Sequence, residues 1–466
     1  MDKGFAIVVD IGKTLSKVTL WSRSGRMLSK LSRPNLRVSK GDIIRLDTRG
    51  IAAFVEESLS HFAGHPVEYI IPVAHGAAIA AVENGALAYV PIDYEQEPPE
   101  EIVRAYRKQR PAFRETGSPA LPACLNCAIQ LFWADTLYPG KVGSSTLMPW
   151  AQYWAWFLSG AAATEVSSLG CHSDLWNPAE AEFSGMAEEQ GWAGRFAPLR
   201  RAGDVVGTLR PDLARRTGLP KEVKILAGLH DSNAALIAAR GFAEIEGKDA
   251  TILSTGTWFI ALRLAGTGCD LSALPEQRDC LVNVDPSGHP ILSARFMGGR
   301  EIEMLIELDT RQVDIRPDQP RLLDAVPHVL AAGAMVLPTL APGNGPFPHG
   351  TGGWIIQPDD WFARRAGACL YAALMANESL DLIGSRGRLL IEGRFAEAEV
   401  FVRALAALRP DTEVFVAKAH NDVSFGALRL IEPALRPTGE LQRIDPLPYD
   451  LAAYAKAWQG HLKVAP

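Results

Sequence analysis

Two glycine-bearing turns more than two hundred residues apart, with a carboxylate just ahead of the second, mark where this chain could do chemistry. The first lies in VVDIGKTLSKVTLW (8–21) and the second in ATILSTGTWFIAL (250–262), which GLHDSNAALIAA (228–239) precedes. Each turn follows or joins a run of β-branched residues, which places it at a strand end or hairpin turn. Backbone N–H groups freed there, with small hydroxyl side chains beside them, can line up on phosphate oxygens. Two such turns facing each other would hold one nucleotide in a cleft and leave Asp231 to act on a second substrate. The plainer readings are that Asp10 is a turn aspartate and that Asp231 or Ser232 caps an alanine-rich helix. The first turn is no Walker A loop: that motif needs a glycine five residues before Gly12, and Ile7 stands there.

The elements that must position these residues alternate in type. Strands are expected over 6–9, 16–21 and 69–73, and helices over 50–62, 99–110 and 149–158, the mixture of an α/β domain. A turn near 240–247 separates this half from a second with the same plan. That half has strands over 251–264, 335–337 and 388–391 and helices over 361–383 and 396–408. The expected division is 1–243, 244–440 and a C-terminal tail 441–466, since 466 residues exceed one ordinary core. LAPGNGPFPHGTGGW (340–354) is the clearest loop, and a loop that long is usually functional or mobile.

Composition narrows the class. Hydrophobic residues make up 47% and charged residues 21%, and the formal net charge is −6, which argues against a nucleic-acid surface. No apolar run approaches a membrane span, and Asp10 interrupts the N-terminal apolar run, which reads as a core strand rather than a leader. A cytoplasmic enzyme is expected, with no nucleic-acid or membrane partner. Six cysteines make no disulfide framework. Cys124 and Cys127 form the only C-x-x-C, for which buried, reduced thiols are expected over a redox pair or a zinc site.

The order Asp-x-Gly-x-Thr-x-x-Lys at 10–17, His-Gly at 75–76, Gly-x-His-Asp at 228–231 and Ser-Thr-Gly-Thr-Trp at 254–258 resembles the FGGY carbohydrate kinases. These belong to the sugar kinase, heat-shock and actin superfamily, and the resemblance runs to about Glu432. It implies two actin-like (ribonuclease H-like) domains with a nucleotide and sugar cleft between them. It implies ATP and Mg²⁺ as cofactors and a small sugar as the acceptor, with a homodimer admitted as the assembly. By this resemblance Asp10 would hold Mg²⁺, Gly12, Lys13 and Thr14 would approach the β- and γ-phosphates, and Lys17 would add positive charge there, unless it is simply a lysine on the outward face of its strand. Lys13 stands where the family usually has Thr or Ser. Gly256 and Thr257 would present donors from the other domain, and Asp231 would take the proton of the attacking hydroxyl. ARFMGGRE (294–301) resembles the segment beside ribose and phosphates, making Gly298 and Gly299 nucleotide candidates. IEGRFAEAEVFVRAL (391–405) resembles the adenosine motif, with Gly393 carried over and Glu392 in place of a usual glycine. NDVSFGALRL (421–430) resembles the closing helix of that motif, read as core packing.

On the sugar side, the resemblance makes His75, Gly76 and His230 acceptor candidates together with Asp231. Asn126 and Gln130 lie one helical turn apart, and two amides on one face suit hydroxyl recognition, although they suit core hydrogen bonds equally. His172 and Asp174, with Trp176, form a polar and aromatic cluster that fits a sugar site or a tight turn. PIDYE (91–95) departs from the family's usual Trp-and-acidic stretch, which implies an acceptor other than xylulose or glycerol. The His-Asp pair resembles the rhamnulose kinases, so L-rhamnulose or L-fuculose are expected first and a pentulose (ribulose or xylulose) second. A nucleotide-driven conformational ATPase and a non-transferring sugar sensor are the rivals from other classes.

Overall fold

FAIVVDI forms β1 (Phe5–Ile11), whose alternating side chains enter two different cores. Ile7, Val9 and Ile11 join one buried cluster with Val18, Leu20, Val55 and Trp154. Ala6 and Val8 join another with Ile71, Val73, Ala234 and Phe425. A strand buried on both faces reads as a continuous apolar run, which is why Asp10 stands out in it. The computed structural model describes residues 4–264, 271–417 and 423–462. The chain forms two compact units. One is Met1–Gly241 with Val282–Pro290 and Asn421–Pro437; the other is Phe242–Leu281 with Ile291–His420 and Thr438–Pro466.

The first unit is built on a seven-stranded sheet. After β1 come β2 (Leu15–Ser22), β3 (Met27–Pro34), α1 (Thr48–His61) and β4 (Val67–Ala74). Farther on are α2 (Cys127–Leu137), α3 (Trp150–Ser159), β5 (Val205–Thr208), β6 (Lys224–Leu226), β7 (Leu229–His230) and α4 (Asp231–Ala239). The strand order is β5-β6-β4-β1-β2-β3, with β7 also paired to β4. β1 runs antiparallel to β2 and parallel to β4, and β7 runs parallel to β4. Asp47 caps α1 by accepting from the Gly50 N–H at 2.9 Å. A short helix, Val423–Leu428, places Phe425, Ala427 and Leu428 against Ala234 and Ala238 of α4. This is the core role expected of that segment; Asn421 and Asp422 lie outside the described residues.

The second unit has its own sheet. Its strands are β8 (Ala250–Thr255), β9 (Phe259–Leu264), β10 (Pro290–Phe296), β11 (Arg388–Gly393), β12 (Glu413–Ala417) and β13 (Leu441–Arg443). They run in the order β10-β9-β8-β11-β12-β13. The helices α5 (Gly298–Ile306), α6 (Gln319–Ala331), α7 (Trp361–Leu382), α8 (Glu399–Leu408) and α9 (Leu451–Leu462) complete it. Phe259 anchors the core, with ring centroids 5.1–5.3 Å from Phe296, Phe395 and Phe401.

Two expectations for local structure are corrected. The helix expected over 396–408 starts at Glu399, because Arg394–Glu397 winds into a 3₁₀ turn. Gly393, at φ +88°, turns the chain there, and the Phe395 N–H donates to Thr255 Oγ1 at 3.1 Å. The residue capping α4 is His230, without a side-chain cap bond, and Asp231 is the first helical residue rather than the cap. Among the described residues no helix is long and apolar enough to cross a membrane.

Candidate functional site

Strand register in the first unit gathers the polar residues at one end of the sheet. Asp10 pairs with Lys17 across β1 and β2, and with Val73 across β1 and β4. Ile11 and His230 both pair with Ala74. The His75 N–H then donates to Ile11 O at 3.2 Å. Asp10, His75, His230 and Asp231 therefore sit at the carboxyl ends of three neighbouring parallel strands, where open α/β sheets bind ligands.

Asp10 is buried, and Lys17 Nζ donates to its Oδ2 at 3.1 Å. The turn after it is braced by Asn35, whose Nδ2 donates to Gly12 O at 2.8 Å and whose Oδ1 accepts from Ser16 Oγ at 2.7 Å. The Asn35 N–H also donates to Thr14 O at 2.9 Å. A Cβ on Gly12 would meet Leu15 O at 2.9 Å, so this turn is shaped for glycine. The Lys13 amine bonds to Asp93 and lies 4.4 Å from the Tyr94 ring centroid, an engagement the sequence did not suggest. Asp93 draws it there, and that partner lies eighty residues away in sequence.

Asp231 keeps 28% of its side chain exposed, and its Oδ1 lies 3.1 Å from His230 Nε2. Burial alone would push His230 down, but Cys171 and Asp231 hold it well above its ordinary value. Burial would raise Asp231, and the hydrogen bond and charge of His230 outweigh that and lower it. The pair is thus imidazolium and carboxylate. His75, enclosed by Tyr94 and Trp150 at 5.4 and 6.3 Å, is pushed down to about 4 by burial, so it is neutral at pH 7. Gly76 packs where a Cβ would meet Cys171 Sγ at 2.9 Å and His230 Cδ2 at 3.0 Å. Burial would raise the Cys171 thiol, but His172 and His230 draw it down to about 6.

Four acceptor candidates are occupied in holding the framework. Asn126 accepts from the Leu121 N–H at 2.9 Å and donates to Pro119 O and His172 O, each at 3.1 Å. Gln130 Nε2 donates to Ala77 O at 3.0 Å and Cys124 O at 2.7 Å. Both amides thus face inward on carbonyls of the chain. Asp174 is fully buried and bonded by Tyr106 Oη and, at 3.0 Å, by Arg110 Nε. His172 Nδ1 lies 3.0 Å from Leu125 O. These four thus make bonds within the chain, while Gln130 Oε1 has no partner among the described residues. Cys124 and Cys127 are free and buried, as expected of structural thiols.

Residues that sequence reading missed complete this unit. Glu165, fully buried, accepts from the N–H and Oγ of both Ser167 and Ser168 at 2.7–3.2 Å. Ser167 Oγ in turn accepts from the His230 N–H at 3.3 Å. The sequence signal was an acidic N-cap ahead of two serines.

In the second unit the glycines converge by themselves. β8 and β9 form a hairpin closed by Gly256 N–H donating to Trp258 O at 2.9 Å. The Arg300 N–H at the start of α5 reaches Thr257 O at 3.4 Å. A Cβ on Gly299 would collide with Gly256 O, and one on Gly298 would meet the Phe259 ring at 2.7 Å. Thr255, another residue missed from sequence, donates to Glu392 O at 2.6 Å and pairs with Gly393 across β8 and β11. A Cβ on Gly393 would strike Thr255 O. Gly256, Thr257, Gly298, Gly299 and Gly393 thus occupy one end of this sheet. α5 begins there without a side-chain cap bond, which leaves N–H groups of its first turn for an anion.

Comparison with known proteins bears on this arrangement. Residues 247–438 match a family model described as "Carbohydrate kinase FGGY, C-terminal domain". The crystal structure of a carbohydrate kinase from Novosphingobium aromaticivorans is 60% identical, covers 100% of both chains and superposes with a TM-score of 0.97. A ligand-bound xylulose kinase from Lactobacillus acidophilus has a TM-score of 0.79 at 13% identity, covering 99% of this chain and 98% of its own, a likeness of fold alone. An L-fuculokinase from Salmonella typhi is 34% identical over 111 residues, 23% of this chain and 22% of that relative's length. The α/β architecture is the actin-like two-domain fold.

Proposed function

The chain belongs to the FGGY carbohydrate kinase family, and on that premise we propose that it moves the γ-phosphoryl group of ATP onto a hydroxyl of a small sugar, with Asp231 as general base. The observation that carries this reading is Asp231 itself. It is an ionised, partly exposed carboxylate at the start of α4, held by His230 at 3.1 Å and set at the same sheet end as Asp10 and the Gly12 turn. The acceptor hydroxyl gives its proton to that carboxylate as its oxygen attacks phosphorus. A base held this far down is adequate, because the transition state of phosphoryl transfer is loose and the proton moves late. His230 keeps the carboxylate charged and oriented.

Bound Mg²⁺–ATP supplies the group transferred and neutralises its charge. Among the described residues no three His, Cys, Asp or Glu side chains cluster as a metal cage. A single buried carboxylate, Asp10, fits Mg²⁺, which keeps most of its waters and takes phosphate oxygens as ligands. The Thr14 hydroxyl in the first unit and the Thr257 hydroxyl in the second are donors suited to phosphate oxygens, while the Gly12 and Gly256 N–H groups close their own turns on Leu15 O and Trp258 O. Gly299 lets the N-terminus of α5 lie against Gly256 O within the second unit, and Gly393 lets β11 run close against Thr255 O.

The acceptor we favour is a ketose, L-fuculose or L-rhamnulose, on the strength of the His230–Asp231 pair and the 111-residue likeness to L-fuculokinase. A coupled ADP-release assay across ketoses, aldoses and polyols tests the reading. ADP release that depends on a ketose is the expected result. Release indifferent to every sugar would replace it with a conformational ATPase.

A further inference from the structure

A recess of about 100 Å³ lies beside the Gly12 turn and is lined entirely by the first unit. It is well below the roughly 300–1,000 Å³ of a whole small-molecule pocket, which suits one end of a small sugar. Its charged lining is Lys13, Arg37, Asp47, Asp93 and Glu95, two cations against three carboxylates.

Both cations are already matched. Lys13 bonds to Asp93 and sits 3.7 Å from Glu95, and Glu95 also bonds to Arg37. Asp47, besides capping α1, takes Arg33 at 2.6 Å. Asp93 is 3% exposed, and its Oδ1 accepts from the Glu95 N–H at 2.9 Å. His75 also lines the recess; it is 8% exposed, and its Nδ1 has no partner among the described residues. A neutral imidazole nitrogen left without a partner is suited to a hydroxyl, which can donate or accept. The Lys13–Asp93 pair offers a hydroxyl the same choice, a donor beside an acceptor. A carboxylate would find no unmatched cation, because Lys13, Arg37 and Arg33 are already taken by Asp93, Glu95 and Asp47.

Resting on the kinase reading above, we infer that this recess selects the acceptor: it takes the hydroxyl-bearing end of an uncharged sugar and excludes sugar acids, with Lys13 and Asp93 as specificity-determining residues. The replacement of the family's usual small residue by Lys13 then acts on acceptor choice instead of on phosphate. Specificity of this kind comes from repulsion as much as attraction.

The test compares L-fuculose, L-rhamnulose and D-xylulose with the aldonates L-fuconate and D-gluconate, by turnover and by calorimetric binding. It uses the wild type, Lys13→Met, Asp93→Asn and Glu95→Gln. The wild type should favour a ketose, and Asp93→Asn should narrow the ketose-to-aldonate ratio of kcat/KM by about tenfold, the effect of removing one close like charge worth about 1.4 kcal/mol. Lys13→Met should raise KM for the ketose and leave KM for ATP unchanged, a split that a purely structural ion pair would not produce. Should Asp93→Asn fail to fold, Glu95→Gln, with a 42% exposed side chain, carries the same comparison. An unchanged ratio in both carboxylate variants, or equal movement of the ATP KM in Lys13→Met, overturns the inference. Failure to phosphorylate any acceptor would overturn the kinase reading instead. In that event ketose binding without aldonate binding would uphold the recess, and binding of both or of neither would overturn it.

Discussion

Lowering the pH from 7 to 5 should destabilise the wild-type protein by about 2 kcal/mol more than it destabilises a His75→Gln variant. Burial is the main cause, bringing the His75 imidazole from 6.5 down to about 4; Asp231 and Asp93 pull it up, while Lys13 and His230 push it down. The unfolded chain exposes the same ring at its ordinary value. Between about 4 and 6.5 the unfolded state therefore binds a proton that the folded state does not. Stability attached to this residue is complete above pH 6.5 and is lost as the pH falls toward 4. The full span of about 2.5 pH units corresponds to about 3 kcal/mol at roughly 1.36 kcal/mol per unit, of which about 2 kcal/mol is gone at pH 5. Glutamine keeps a donor and an acceptor in the recess and does not titrate. Urea-unfolding midpoints and slopes of the two proteins at pH 7 and pH 5, followed by tryptophan emission, give the difference directly. Parallel pH dependence of wild type and variant would refute the claim that a neutral imidazole is buried at this position.

Two further substitutions probe the framework. Gly298→Val places carbon atoms against the buried rings of Phe259 and Phe296, where even a Cβ would lie 2.7–2.8 Å away. The overpacking should cost about 1–3 kcal/mol and lower the melting temperature in a thermal scan. Glu165→Gln gives up the charge that organises Ser167 and Ser168. It should cost about 1 kcal/mol, as a weakened N-cap does, and lower kcat through the Ser167 contact to His230, with KM for ATP unmoved in steady-state kinetics.

What could be read from the residues was governed by range. The first hairpin was legible because an apolar run, a Gly-Lys-Thr turn and a second β-branched run are contiguous, and local preference decides them. α4 was legible as a helix, but its cap moved by one residue, because strand pairing of Leu229–His230 with β4 sets where the helix begins. Asn126 is the N-cap of α2 and Gln130 lies in its first turns, and which way their amides turn depends on the carbonyls of Pro119, Ala77 and His172, residues that sequence spacing does not bring near. Lys13 and Asp93, and Asn35 and Gly12, are likewise pairs made by tertiary folding. So is the return of 282–290 and 421–437 to the first unit. Glu165 carried only the local signal of an acidic N-cap, and Thr255 lies within the Ser-Thr-Gly-Thr-Trp run, but the partner that gives Thr255 its role, Glu392, is brought near only by strand pairing.

The central claim is phosphoryl transfer to a sugar hydroxyl with Asp231 taking the proton, and phosphorus NMR of the product tests it most directly. Wild-type protein with Mg²⁺, ATP and L-fuculose, L-rhamnulose or a pentulose should build up a sugar phosphate ester. Asp231→Asn keeps the shape and the helix start but loses the charge, so it should fold, bind both substrates and form that ester about 10²–10⁴-fold more slowly. An ester appearing at comparable rates with both proteins, or none with the wild type on any acceptor, would contradict the account.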